Sequence, residues 1–173
     1  MDFRIILLIL SIIFAIFPIL FFSVSKNAKH IKVVSLVLSI LYILVICIGV
    51  FSNIQLGKDI TIIPFDLTVK LNKSFDFNLI SKNIQDFIIN ILMFIPLGFL
   101  LTPLFKTHTV LKTLLIGISF SILIEIMQLI LPINRSPQLS DIVLNSLSCL
   151  IGIACFLLFR FIVAKLKSNK KTI

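Results

Sequence analysis

The sequence predicts an all-α membrane protein: a bundle of about five transmembrane helices, with the amino terminus outside and the carboxyl tail inside. Three observations lead there. Hydrophobic residues make up 59% of the 173 positions, and mean hydropathy is +1.19. Soluble domains run at about 45–50% apolar residues. Apolar runs near the ~20 residues needed to cross a bilayer recur along the chain. The lysines fall between those runs instead of forming a patch. The net charge of +9 is therefore read as membrane orientation and not as a nucleic-acid surface.

The first span runs from Phe3 to about Val24, with Pro18 as a bend. It is longer than an ordinary signal-peptide core and has only Arg4 as its positive charge, so it reads as a retained anchor. The second runs from about Val33 to Phe51, after the basic connector Lys26, Lys29 and Lys32. The third begins near Ile84 and ends at about Phe105. The fourth covers Leu111–Leu131, after a connector with Lys106, His108 and Lys112. The fifth runs from about Leu139 to Val163 and gives way to Lys165, Lys167, Lys170 and Lys171.

Four regions follow: a two-helix transmembrane hairpin over 1–51, an extracytoplasmic loop over 52–83, a three-helix core over 84–163 and a basic cytoplasmic tail over 164–173. The orientation rests on the basic residues, which concentrate in the first and third connectors and in the tail. The 52–83 loop carries Asp59, Asp66 and Asp76 beside its lysines, and long loops weigh little in the rule. Within that loop Pro64 forces Ile63 toward an extended backbone. Phe65, Phe75 and Phe77 suit the headgroup boundary, as a re-entrant segment or as a solvated loop.

The only glutamate, Glu125, lies inside the fourth span. A carboxylate there costs roughly 2.5–3.5 kcal/mol on insertion scales. In the stated orientation it sits roughly 9 Å below the outer boundary. Glu125 and Gln128 share a helix face. So do Asp86 and Asn90 on the third span, and Asp141 and Asn145 on the fifth. These stripes are expected to face one another or a wet cavity, with Arg135 in the last connector as the charge partner of Glu125 or Asp141. Interhelical glue is the alternative for Asn90, Gln128 and Asn145, and helix capping for Asp86 and Asp141. Pro96 and Gly98 predict a kink in the third span.

Cys47, Cys149 and Cys155 fall in apolar runs and read as small buried hydrophobes, with no disulfide framework. His30 and His108 belong to connectors away from the polar stripes. No metallopeptidase, nucleophile-elbow or phosphate-loop motif is present, so neither a metal nor a cofactor is expected.

The string Asn-Ile-Leu-Met-Phe-Ile-Pro-Leu-Gly-Phe-Leu-Leu at 90–101 resembles the central signature of the VanZ-like membrane protein family. Glu125-x-x-Gln128, Arg135 and Asp141-x-x-x-Asn145 are similar to that family's following helices, and the Ile-Pro-Phe at 63–65 to a feature of its loop. The likeness covers roughly 62–155. Two positions depart from it: Gln138, where an acidic residue is frequent, and Ser148, where glycine is. The first leaves Asp141 without a neighbouring carboxylate. The resemblance implies a multi-pass protein of the bacterial cytoplasmic membrane, linked to the envelope and to resistance to the glycopeptide teicoplanin.

On that basis the leading expectation is a non-catalytic protein whose outward polar cluster of Asn90, Glu125, Gln128, Arg135, Asp141 and Asn145 meets an amphiphile. The partner would be a peptidoglycan precursor lipid or a lipoglycopeptide. Two alternatives stay open. One is an intramembrane enzyme on a lipid-linked substrate, with Glu125 and Asp141 as acid or base. The other is a small transporter or assembly subunit, completed by oligomerisation.

Overall fold

The computed structural model describes residues 3–25, 27–51, 84–130 and 138–169. Five helices carry them: α1 (Phe3–Val24), α2 (Ala28–Phe51), α3 (Ile84–Leu101), α4 (Thr109–Ile130) and α5 (Leu139–Asn169). There is no strand among the described residues. The 52–83 loop, with Pro64 and Phe65, and Arg135 in the last connector lie outside them.

α1, α2, α4 and α5 are long and apolar enough to cross a membrane. The apolar part of α3 with the turn that follows, Ile88–Leu104, is shorter. The exterior agrees with a lipid surrounding. Ile12, Ile16 and Leu20 on α1, Leu36, Ile40 and Leu44 on α2, Leu115 and Ile126 on α4, and Leu147, Leu158 and Phe161 on α5 are all exposed. An apolar sleeve of that extent is untenable in water and ordinary in a bilayer. The chain is a multi-pass membrane protein.

Helix limits depart from the sequence expectation in places with local causes. α2 starts at Ala28, well before Val33, because the Asn27 side chain accepts the Lys29 N–H at 2.9 Å and caps the first turn. Lys29, His30 and Lys32 are thereby helical. α3 stops at Leu101 and tightens into a 3-10 turn over Thr102–Leu104, where Pro103 cannot continue the α pattern. His108 then takes a left-handed backbone, φ 51°, and turns the chain into α4. α5 runs on to Asn169, so Lys165 and Lys167 extend the helix.

α3 is the central element and packs against all four others, most extensively against α5. Glycine permits this. A Cβ on Gly98 would run into the Cys149 carbonyl, and one on Gly152 into the Ile95 carbonyl and the Phe99 nitrogen. The two backbones therefore touch, the small-residue packing typical of bilayer helices. Gly98, expected as a source of flexibility, is a contact point, and α3 passes through Pro96 as one helix.

Around this contact Met93, Phe94, Leu97 and Leu100 of α3 join Tyr42 and Ile46 of α2 and Ile153 of α5 in one buried core. Tyr42 places its hydroxyl 2.9 Å from that of Ser11, a buried polar link between α2 and α1. A second cluster stacks Phe22 on Phe99, ring centroids 6.3 Å apart, with Phe156 edge-on to both.

Candidate functional site: buried polar residues where α4 meets α5

α4 turns one stripe inward: Thr113, Gly117, Ser121, Ile124, Glu125 and Gln128 are its buried residues. Their spacing of three and four keeps them on one face. α5 answers in antiparallel register. The Asn145 amide nitrogen donates to the Ser121 hydroxyl at 2.9 Å. One step further along, a Cβ on Gly117 would meet the Cys149 sulfur at 2.6 Å. The Cys149 thiol also lies 3.9 Å from the Thr113 carbonyl.

At the far end of this seam the Glu125 carboxylate accepts the backbone N–H of Gln138 at 2.8 Å. Gln138 stands immediately before α5, and its own carbonyl accepts the Asp141 N–H at 3.1 Å. Glu125 thus caps the start of a neighbouring helix. The carboxyl group lies at the positive end of the α5 dipole, where helix termini favour anions. Asp141 occupies the first turn of the same helix and gains from the same field.

Burial is nearly complete across the group. Glu125 is 6% exposed, Gln128 2%, Asp141 8%, Asn145 3% and Asn90 4%. Glu125, Gln128 and Asp141 each have a further interaction, so none of the three stands without a partner. The Asn145 carbonyl oxygen has no hydrogen-bond partner among the described residues. Asn90 comes to the same level from α3. Phe94 packs on Phe120, ring centroids 6.0 Å apart. One turn along each antiparallel helix then sets Asn90 level with Ile124 and Glu125.

Sequence reasoning placed Asn90, Glu125, Gln128, Asp141 and Asn145 at one depth, and all five are buried toward the same end of the bundle. It gave Arg135 as the charge partner of Glu125 or Asp141. The contact described is a backbone one, to Gln138, while Arg135 lies outside the described residues. The side chain of Asp86 lies outside them too. Ser121 was missed, although it stands one turn before Glu125 on the same face, the spacing that already linked Asp141 to Asn145.

Comparison with curated proteins gives no match, and comparison with solved structures gives none. The family model of VanZ/LLP1 matches residues 5–160. That stretch runs from α1 through most of α5 and takes in every buried polar residue of the α4–α5 seam. The chain belongs to the VanZ/LLP1 family.

Proposed function

We propose that this membrane protein changes how lipophilic glycopeptides such as teicoplanin engage the envelope at the outer face of a bacterial cytoplasmic membrane. The α4–α5 junction faces outward in this reading, as the clustering of basic residues at the opposite end supports. One observation carries it: Glu125, Gln128, Asp141, Asn145 and Asn90 are buried level with one another at that end. Two carboxylates in such a setting are costly unless the site uses them.

Glu125 and Asp141 supply negative charge, Arg135 of the connector between α4 and α5 supplies the opposite sign, and Asn90, Gln128 and Asn145 orient a polar headgroup. The partner chemistry is a peptidoglycan precursor lipid or the glycopeptide itself, with its acyl tail in the bilayer.

The test is teicoplanin and vancomycin susceptibility in a sensitive Gram-positive host expressing wild type, Glu125→Gln, Asp141→Asn or nothing, at matched membrane levels. Wild type should protect against teicoplanin more than against vancomycin, which lacks the lipid tail. Each amide variant should lose most of that protection. Full protection by both variants would remove the polar junction from the mechanism.

A further inference from the structure

At the opposite end of the bundle a cavity of about 730 Å³ opens among the end of α1, the start of α2, the 3-10 turn and the last turns of α5. Its walls divide by chemistry. Lys32, Lys106, Arg160 and Lys167 contribute four cations, and no carboxylate lines it among the described residues. Phe22, Phe156 and Phe159 form an apolar floor, continuous with the stacked phenylalanine cluster on Phe99.

The cations are not absorbed by the fold. Lys106, Arg160 and Lys167 are exposed, and Lys32 uses one of its three donors on the Leu104 carbonyl at 3.1 Å. α2 and α4 begin here while α1, α3 with its 3-10 turn and α5 end here, so the helix dipoles add no net positive charge and the side-chain cations carry the field. The volume lies within the range of small-molecule sites. Helix ends also place the cavity at headgroup depth, with the phenylalanines toward the bilayer core.

We propose that this cavity holds one anionic phospholipid of the adjoining leaflet. Its phosphate sits among Lys32, Lys106, Arg160 and Lys167, and the first carbons of an acyl chain lie against Phe22, Phe156 and Phe159. Charge sets the class: a cationic ring without a carboxylate prefers an anion, and a basic pocket between transmembrane helices suits a lipid phosphate. The aromatic floor separates this occupant from a soluble anion, which has nothing to lay against it. The site is independent of the polar junction at the other end of the bundle.

Binding of phosphatidylglycerol to the purified, delipidated protein tests it, read as a rise in thermal midpoint and as lipid retained after gel filtration. Phosphatidylcholine and inorganic phosphate are the comparison probes. Phosphatidylglycerol alone should stabilise the wild type and co-elute with it. Lys106→Gln with Arg160→Gln should weaken that binding on the order of thirtyfold. Lys29→Gln with Lys165→Gln, two exposed cations away from the cavity, should leave it unchanged. An equal shift with phosphatidylcholine, an equal shift with free phosphate, or equal losses in the two double variants would each overturn the proposal.

Discussion

Glu125 shows what a single side chain can and cannot announce. Its oddity was legible, since the only glutamate of the chain sits in an apolar run. Its bond to the Gln138 N–H was not, because a backbone N–H has no letter in the sequence. The bond to Gln138 makes a specific demand. Glu125→Gln keeps an oxygen to accept that N–H and removes the charge, so it should fold within about 1 kcal/mol of wild type. Glu125→Leu orphans the donor and should cost roughly 1–3 kcal/mol. Unfolding in detergent micelles checks the pair, and a leucine variant as stable as wild type would deny the bond any structural weight. The amide variant is therefore the one to carry into susceptibility work, where a lost phenotype then reports on charge and not on misfolding. Ser121 and Asn145 teach the same lesson more mildly, as residue types visible in the text whose pairing needed the register of two helices.

At the scale of elements, apolar length and interrupting lysines fixed the number and order of the helices, and caps and prolines decided their ends. Asn27 was a readable cap hidden in a basic connector, and Pro103 a readable stop inside an apolar run. The meeting of α3 with α5 was not readable, since a glycine signals freedom and close approach in the same letter. The structure ranks three glycines. Gly98→Ala and Gly152→Ala each drive a methyl into backbone, which has no rotamer to yield. Gly117→Ala meets the Cys149 side chain, which can turn aside. The first two should cut the yield of monodisperse protein severalfold, with Gly117→Ala much nearer to wild type. Fluorescence-detected gel filtration of the three variants measures this, and a Gly152→Ala protein of wild-type yield would mean that the helices part at little cost.

Over the whole molecule, charge is segregated. Among the described side chains the carboxylates Glu125 and Asp141 stand at one end, while Lys29, Lys32, Lys106, Lys112, Arg160, Lys165 and Lys167 gather at the other. This polarity gives the proposed orientation a direct check. A cysteine placed by Lys165→Cys should react with a membrane-impermeant maleimide in inverted vesicles and stay silent in intact cells. Labelling of intact cells instead would turn the α4–α5 junction inward and separate it from any extracellular drug. Composition alone revealed the membrane setting, because an excess of apolar residues needs no geometry to be counted. The basic cavity stayed hidden for the opposite reason: its cations come from the start of α2, the connector between α3 and α4, and the end of α5, far apart along the chain.

The glycine groove between α3 and α5 also bears on the order of synthesis. α3 leaves the ribosome one helix too early, with its best-fitting partner still unmade and α4 yet to cross. Its apolar stretch is short and carries a buried asparagine, so the membrane alone holds it weakly. A nascent chain halted after Ile130 would present α3 with an open seam, which a quality-control protease could grasp. α5, made after them, is then the helix that commits the earlier four.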